Sequence, residues 1–138
     1  MRRLAEISCN RNPLVLVEST TVKSACEKMR QEEMGSVLVC DDAGHLTGIF
    51  TARDAVRRVL GGGKARNVKL KEVMTRDPVT MTPDHSAIDA LRLMWDGGFR
   101  HLPVVENRQI VGVVSRNDFG SDERLSLDEE RQYWEHMR

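Results

Sequence analysis

Hydrophobic positions along the chain change from a strand spacing to a helical one and back, and this order predicts the elements. Short apolar runs at 14–17 and 36–40 have the length of buried strands. Between them, apolar residues follow the spacing i, i+3, i+4 and i+7, which is typical of an amphipathic helix. These residues are Val22, Ala25, Cys26 and Met29. A turn at 41–44 and a return strand at 46–50 follow, and Thr51 then opens a second helix.

The same pattern restarts in the second half of the chain. Residues 78–81 match residues 13–16 at an offset of 65, and a helix with one apolar face follows them. The apolar face consists of Ala87, Ile88, Leu91, Met94 and Trp95. The strand after it contains Pro103, which indicates a sheet edge or a bulge. The next turn is one residue shorter than its counterpart, so Asp118 stands 64 residues after Asp54. We therefore predict a strand–helix–strand–strand–helix unit that occurs twice, with the two halves sharing a core.

The repeat divides the chain into four segments. We predict a first repeat at 7–62, a linker at 63–71, a second repeat at 72–120 and a tail at 121–138. The linker begins in a run of glycines, which ends a helix and favours flexibility. In the tail, residues 126–129 form a capping-box sequence that predicts a last helix. Its apolar stripe consists of Leu127, Tyr133, Trp134 and Met137. This stripe fits packing on the parent fold or on a second subunit.

Each repeat ends its last strand in a hydroxyl residue that is followed, three positions later, by an aspartate. The pairs are Thr51 with Asp54 and Ser115 with Asp118. Such a pair can be a capping box, in which the two side chains satisfy free N–H groups at a helix start. It can also be a ligand site, because a hydroxyl and a carboxylate at a helix N-terminus can bind a sugar diol and a phosphate. One copy alone favours the cap, whereas two copies in one register give the ligand site more weight.

The composition is that of an ordinary soluble globular protein. The 138 residues are 40% hydrophobic and 30% charged, and the formal net charge is zero. This balance does not favour nucleic acid or an anionic membrane as a partner. The basic N-terminus is not followed by the apolar segment of a secretory signal, and no apolar run is long enough to cross a membrane. A secreted or membrane-spanning protein is therefore not expected, and the reduced thiols expected from the cysteines imply a cytoplasmic setting.

The reactive side chains do not indicate a metal centre or an enzyme. The cysteines Cys9, Cys26 and Cys40 form no CxxC pair, and we expect reduced thiols in the core. The four histidines lack a ligand spacing such as HExxH, so no metal is expected. The sequence shows no nucleophile–base pair. The two repeated aspartates stand in equivalent positions, which suits binding better than acid–base chemistry.

These features resemble a tandem pair of cystathionine β-synthase (CBS) domains, which is also called a Bateman module. The resemblance covers residues 7–120 and is that of a stand-alone CBS domain-containing protein. It rests on Val73-Met74-Thr75 followed by Pro78-Val79, on the stretch from Phe99 to Val105, and on the two glycine–apolar–apolar–Thr/Ser–x–x–Asp stretches. The resemblance implies an α/β (α+β) fold. In it, two β-α-β-β-α repeats pack through their sheets with pseudo-twofold symmetry, and a C-terminal helix follows.

The resemblance also implies two clefts between the repeats, where CBS pairs often bind adenine nucleotides or related adenosyl compounds. In the family motif the aspartate binds the ribose hydroxyls and the Thr/Ser binds ribose or phosphate. These roles are thereby implied for Asp54 with Thr51 and for Asp118 with Ser115. The adenine typically lies against the first strand of the opposite repeat. Residues implied there are Thr75 and Val79 for the Asp54 cleft, and Leu14 with Ser8 or Asn10 for the Asp118 cleft.

Phosphate is expected mainly in the Asp118 cleft. In CBS domains the position before the second strand often reaches phosphate, and here it is occupied by Arg100 and His101. A half-buried structural histidine is the alternative for His101. The matching positions of the first repeat are uncharged, so the Asp54 cleft is expected to be weaker, empty, or occupied by a less charged adenosyl group. Arg116 is a further phosphate candidate, as is Arg53 in the first repeat, with an exposed salt bridge as the alternative for both.

The function implied is that of a regulatory module that senses an adenosyl ligand and changes its conformation or assembly. AMP is the first choice of ligand, with ATP, NAD or S-adenosylmethionine as alternatives, and no metal is required. The second hypothesis is a ligand-free dimerisation module with vestigial clefts. CBS pairs commonly form flat homodimers through their helices, and an effector protein is implied but not identified. Candidates for the homodimer contact are Val56, Val59, Met94 and Trp95.

Overall fold

The described part of the chain contains both helices and strands, which confirms the predicted α/β class and the C-terminal helix. The computed structural model describes residues 2–8, 12–63 and 67–136 of the 138 residues. The helices are α1 Leu4–Ser8, α2 Val22–Glu32, α3 Ala52–Asp54, α4 Leu70–Val73, α5 Ala87–Gly97 and α6 Ser121–His136. The strands are β1 Val15–Val17, β2 Ser36–Cys40, β3 Leu46–Thr51, β4 Thr75–Arg76, β5 His101–Glu106 and β6 Gln109–Ser115.

The chain divides into two compact units. The first unit contains residues 13–79 and 107–110, and the second contains residues up to 12, 80–106 and those from 111 onward. These units are defined by contacts in space, whereas the segments predicted at 7–62, 63–71, 72–120 and 121–138 describe a repeat in sequence. The repeat boundaries therefore stay predictions.

A four-stranded sheet forms the framework of the first unit, in the order β1-β2-β3-β4. β1 runs parallel to β2, whereas β2 with β3 and β3 with β4 are antiparallel pairs. All five residues of β2 are buried, which explains why the strand is apolar from Val37 to Cys40. The three strands predicted for this half are confirmed, with β1 beginning at Val15 instead of residue 14. The strand β4 was not predicted.

The helix α2 begins and ends at residues that favour helix ends. Thr21 Oγ1 accepts a hydrogen bond from the backbone N–H of Ser24 at 3.2 Å, which is an N-cap. At the other end Glu33 takes the left-handed conformation with φ 54°, and the N–H of Met34 donates to the Met29 carbonyl at 2.9 Å. Both features end the helix. The face that packs into the core carries Val22, Ala25 and Met29, as the spacing predicts.

The helix after β3 is present, but its winding changes. α3 continues into a π-helix at Ala55–Leu60, and the N–H of Gly61 donates to the carbonyl of Val56 at 2.8 Å. A regular α-helix was predicted over these residues. A π-turn holds one more residue than an α-turn, and it leaves Val59 in the core while Val56 is exposed. Apolar spacing alone cannot distinguish the two windings over so short a segment.

The second unit repeats the register of the first with less regular structure. Met81 forms a parallel bridge with Val104, and these residues stand 65 positions after Leu16 and Val39, which pair in the first unit. The internal repeat is thereby confirmed at the level of strand pairing. A strand predicted at 78–81 is nevertheless reduced to this single bridge. Pro78 lacks an N–H for a ladder, which limits regular pairing here.

The short helices α1 and α4 each belong to a different unit from the repeat that follows them in sequence. α4 leads into the second repeat, yet it belongs to the first unit, where the N–H of Leu70 donates to the Thr20 carbonyl at 2.8 Å. α1 leads into the first repeat, yet it belongs to the second unit, where the N–H of Leu4 donates to the His85 carbonyl at 2.9 Å. Both leucines are fully buried. α1 and α4 therefore occupy equivalent positions in the two units.

The C-terminal helix α6 begins earlier than predicted. The sequence placed its start at Ser126, but the helix begins at Ser121, and the Ser126 hydroxyl donates to the Asp122 carbonyl at 2.9 Å inside it. The N–H of Gly120 donates to the Glu123 carboxylate at 3.0 Å instead, so the cap lies at Gly120 and not at Ser126. Leu127 packs into the core of the second unit. Tyr133 and Trp134 are exposed, and Met137 lies outside the described residues.

Candidate functional site

The first hydroxyl–carboxylate pair forms a capping box at the end of β3. The backbone N–H of Thr51 donates to Asp54 Oδ2 at 3.0 Å, and the N–H of Asp54 donates to Thr51 Oγ1 at 3.3 Å. The Thr51 hydroxyl also donates to Oδ2 at 3.2 Å. These contacts are a reciprocal cap, and they fix the carboxylate at the point where strand becomes helix.

Two further side chains meet the other oxygen of Asp54. The Thr75 hydroxyl donates to Oδ1 at 3.3 Å, because β4 pairs Thr75 with Ile49 of β3. Arg58 Nε lies 3.7 Å from the same oxygen, and Arg58 Nη1 donates to the Met74 carbonyl at 2.7 Å. Asp54 is only 8% exposed. Thr75 thus contacts the Asp54 carboxylate inside the first unit, and its predicted contact with adenine stays a prediction.

Arg58 is the residue of this group that the sequence argument missed. No role in the site was predicted for Arg58, yet its guanidinium lies beside the Asp54 carboxylate. The signal available in the sequence was the i, i+4 spacing from Asp54 to Arg58, which places opposite charges on one side of a helix. The first unit therefore has a cation near its aspartate, although positions 35 and 36 are uncharged.

The close approach of β4 depends on Gly48. A Cβ atom at Gly48 would meet Met74 Sδ, and it would lie 2.9 Å from the Thr75 carbonyl oxygen. Gly48→Ala is therefore expected to lower the free energy of unfolding by about 1–3 kcal/mol, as overpacking does in a dense core. Urea unfolding measures this. The penalty should be smaller in a Met74→Ala background, which removes the sulfur. Equal penalties in both backgrounds would contradict the contact.

The remaining residues implied for the adenine contacts differ in exposure. Thr75 is half-buried, Leu14 is half-buried and packs against the core of the first unit, and Val79 is exposed. Ser8 is described only in its backbone, and Asn10 lies outside the described residues. The adenine contacts of all these residues stay predictions.

The second pair forms the same cap at the end of β6. The backbone N–H of Ser115 donates to Asp118 Oδ2 at 2.7 Å, and the N–H of Asn117 donates to Ser115 Oγ at 3.3 Å. The turn Arg116–Asp118 is a 3₁₀-helix. Asp118 is half-buried. Within the part of the chain that the structure describes, Asp118 Oδ1 accepts no hydrogen bond, in contrast to Asp54 Oδ1.

Arg100 and His101 lie at the start of β5, beside this turn. The Arg100 carbonyl accepts a hydrogen bond from the N–H of Arg116 at 3.1 Å. Burial lowers the pKa of His101, against the raising effect of the Asp118 carboxylate, and the Arg100 guanidinium lowers it further. The imidazole is therefore neutral at pH 7, and it offers a single N–H donor instead of a full positive charge.

Arg116 is used by the fold in a way that the sequence did not show. Its Nε donates to the Phe99 carbonyl at 3.0 Å and its Nη2 to the Met94 carbonyl at 2.9 Å. The guanidinium also lies over the Trp95 ring, 4.3 Å from the centroid. A cation on carbonyls at a helix C-terminus is stabilising. Arg116 thus anchors the end of α5, and its contact with phosphate stays a prediction.

Two of the three cysteines lie in the described part of the chain. Cys26 is half-buried and Cys40 is buried. Burial raises the pKa of the Cys40 thiol, with the carboxylates of Asp41 and Asp42 adding to it. Cys9 lies outside the described residues.

Among residues 2–8, 12–63 and 67–136, no group of three His, Cys, Asp or Glu side chains is placed to hold a metal ion. The helices described there are too short or too polar to span a membrane.

Comparison with known proteins identifies the family. The model of the CBS domain family matches residues 4–61 and 70–119, which is most of the chain and both copies of the repeat. The chain therefore belongs to the CBS domain family and contains a tandem CBS pair.

Known relatives share the family and differ in length. The chain is 40% identical over 102 residues to the CBS domain-containing protein CBSCBSPB2 of Arabidopsis thaliana, covering 73% of this chain and 19% of that protein. It therefore spans about a fifth of the length of this relative.

Solved structures share the fold. One is a CBS domain protein from Pyrobaculum aerophilum complexed with AMP, with a TM-score of 0.83, 21% identity and coverage of 92% and 98% of the two chains. Another is the CBS domain pair of protein MJ0100 in complex with 5-methylthioadenosine and S-adenosyl-L-methionine, with a TM-score of 0.75, 23% identity and coverage of 90% and 98%.

Proposed function

We propose that this protein is a regulatory module that binds an adenosyl ligand through its two hydroxyl–carboxylate pairs. The observation that carries the proposal is their equivalence. Thr51 with Asp54, and Ser115 with Asp118, occur 64 residues apart and adopt the same reciprocal cap. Two unrelated helix caps would not both need a carboxylate at the same position of the repeat, because other residues cap equally well. The ligands bound by the solved CBS proteins, AMP in one and S-adenosylmethionine in another, support the ligand class.

The two groups are expected to differ in affinity. Asp118 Oδ1 is available for a ligand hydroxyl, whereas Asp54 Oδ1 is engaged by Thr75 and lies near Arg58. A ribose diol at Asp54 must therefore displace or share an existing contact. Arg100, which is exposed, and His101 add donors near Asp118. The Asp118 group is proposed to bind a phosphate-bearing nucleotide such as AMP first. ATP, NAD and S-adenosylmethionine are the other ligands to be compared.

Asp118→Ala is expected to weaken AMP binding at the Asp118 group by about 100-fold or more. A carboxylate that accepts two ribose hydroxyls contributes about 1.5–3 kcal/mol per hydrogen bond. Isothermal titration calorimetry with AMP measures the loss. Asp118→Asn keeps an acceptor for the Ser115 N–H and removes the charge, so it separates ligand contact from loss of the cap. Asp128→Ala, on the exposed side of α6, is the matched control. Unchanged AMP affinity in Asp118→Ala rejects the assignment.

The alternative function is association of two copies without a ligand. Of the four helix residues considered for that contact, Val59 and Met94 are buried in the cores of their own units, whereas Val56 and Trp95 are exposed. The exposed pair keeps this alternative open. Sedimentation of the unliganded protein distinguishes a dimer from a monomer. A stable dimer that binds none of AMP, ATP, NAD and S-adenosylmethionine favours the alternative over ligand sensing.

A further inference from the structure

Arg2 joins the Asp118 turn to the first turn of α6. Its Nη2 donates to the backbone carbonyl of Asp118 at 3.2 Å. Its Nε donates to Glu123 Oε1 at 3.1 Å, and Nη2 also donates to that oxygen. One guanidinium therefore spans the residue that ends the candidate binding turn and the helix that follows it.

Glu123, which accepts these hydrogen bonds from Arg2, is a buried carboxylate. The residue is only 9% exposed. Oε1 also accepts the N–H of Gly120 at 3.0 Å, so the same carboxylate caps α6. Burial raises the pKa of Glu123, but the hydrogen bonds from Arg2 and Gly120 outweigh it and hold the pKa below its usual value. A buried carboxylate that stays charged needs its cation in place.

Arg2 is itself held firmly from the other side. Its backbone carbonyl accepts the N–H of Ala87, the first residue of α5, at 2.8 Å. The α6 residue Arg124 adds a second link, because its Nη2 donates to the Arg116 carbonyl at 3.0 Å. The carbonyls at both ends of the turn Arg116–Asp118 thus accept hydrogen bonds from arginines. Arg124 belongs to α6, and the backbone of Arg2 is bound by Ala87 of α5.

Among the residues of the first unit that the structure describes, no counterpart of this contact is present. The N–H of Val22, which corresponds to Ala87 in the repeat, donates to the carbonyl of Val68 at 2.9 Å. Val68 therefore occupies the position of Arg2 in the first unit. A valine side chain has no donor, so it cannot hold the Asp54 turn to the helix that follows. The two copies of the repeat thereby provide a natural comparison inside one chain.

We propose that Arg2 is a positioning residue for the Asp118 group, through which docking of α6 and ligand binding are energetically coupled. The ligand arm of this inference rests on the function proposed above. If α6 leaves its place, Glu123 withdraws from Arg2, and the guanidinium loses the carboxylate that holds it beside the carbonyl of Asp118. Coupling of this kind is reciprocal, so a ligand that orders the Asp118 turn also favours docked α6. Docking of α6 then depends on whether the Asp118 group holds a ligand. The described residues of the first unit provide no such link for the Asp54 group.

The first experiment needs no ligand. Arg2→Val gives the second unit the residue that the first unit has at this position, and Arg3→Val is the neighbouring control because the Arg3 residue is exposed. In the full chain, hydrogen exchange of the backbone N–H groups of Ser115 to Glu123 is expected to be about tenfold faster in Arg2→Val, with no change in Arg3→Val. Glu123→Gln keeps an acceptor for Gly120 and removes the charge. Glu123→Gln is also expected to make this hydrogen exchange faster, and it replaces Arg2→Val in the experiment if that variant folds poorly.

The second experiment measures coupling at each group separately with AMP. In an Asp54→Ala background, Arg2→Val is expected to weaken AMP binding by about tenfold, which is within the usual range of coupling between sites. In an Asp118→Ala background, Arg2→Val is expected to leave AMP binding unchanged. A general loss of stability would not act on one group alone. AMP is also expected to slow hydrogen exchange in α6 of the wild-type protein, and Arg2→Val to remove this protection.

The outcomes separate this inference from the proposed function. If exchange from Ser115 to Glu123 is unchanged in both Arg2→Val and Glu123→Gln, the positioning role is wrong, whether or not AMP binds. If exchange is faster but AMP affinity at the Asp118 group is unchanged, the coupling is wrong while the binding function holds. If exchange is faster and wild-type protein does not bind AMP, the proposed function fails and the hold of Arg2 on the turn is supported.

Discussion

Leu127→Ala is expected to lower the free energy of unfolding of the second unit by about 2–5 kcal/mol. Leu127 is 1% exposed and packs in one core with Leu4, Leu91 and Phe119. Removing its buried methyl groups loses their transfer free energy and leaves a cavity, because helices and strands on several sides cannot all move inward. Urea unfolding followed by circular dichroism measures the change.

The matched control for this prediction lies on the same helix. Leu125, two residues earlier in α6, is 58% exposed, so Leu125→Ala is expected to change the free energy of unfolding by no more than about 0.5 kcal/mol. The two variants remove the same atoms from the same helix and differ in burial alone. Equal effects would contradict the packing of α6 on the second unit.

The prediction for Leu127 illustrates what the sequence could supply about the tail. The apolar stripe correctly selected Leu127, but it also selected Tyr133 and Trp134, which are exposed. A stripe marks a face that can be buried, and it does not say how far along the helix the core extends. The start of α6 was misplaced for a similar reason. Ser126 has the right spacing to Glu129 for a cap, whereas the actual cap uses Gly120, a weaker sequence signal.

The repeat was the most informative feature of the sequence, because its consequences are local. The pairing of Leu16 with Val39 recurs as that of Met81 with Val104, as the offset of 65 requires. Helix caps at Thr21 and Ser86 are likewise equivalent. Each depends on a few neighbouring residues whose backbone preferences the sequence states directly.

The exchange of the short helices α1 and α4 could not be predicted. Each is a short segment with two buried apolar residues, Leu4 and Ile7 in one and Leu70 and Val73 in the other. Two similar halves offer two similar places to dock, and the local pattern is satisfied by either. The choice depends on tertiary contacts such as those of Leu4 with His85 and of Leu70 with Thr20. The contact of Arg2 with Glu123 is hidden for the same reason, since 121 positions separate them.

For the candidate site, the sequence identified the residues that share a turn and missed those that approach from elsewhere. Thr51 with Asp54, and Ser115 with Asp118, are three positions apart, so one backbone geometry places them together. Arg116 was expected near phosphate because it directly follows Ser115 in sequence. Its guanidinium lies at the C-terminus of α5, because a long side chain can reach the carbonyls of Met94 and Phe99, and this contact was not predicted.

Phe50→Ala is expected to lower the free energy of unfolding of the first unit by about 3–5 kcal/mol, the range for a fully buried phenylalanine. Phe50 is 0% exposed and lies in β3 opposite Val37. Tyr133→Ala is the control, because it removes a ring of similar size from a residue that is 60% exposed. We expect the control to change the free energy of unfolding by about 0.5 kcal/mol or less. Thermal unfolding and urea titration of both variants provide the measurement.

The position of Phe50 also connects stability to the candidate site. It directly precedes Thr51, so the buried ring anchors the strand end from which the cap on Asp54 begins. Loosening this anchor is expected to weaken ligand binding at the Asp54 group. The Asp118 group should be unaffected, because its corresponding anchor, Val114, is buried in the other unit. Titration of Phe50→Ala with AMP in the Asp118→Ala and Asp54→Ala backgrounds tests the difference. An equal loss in both backgrounds would show that the two groups do not depend on separate cores.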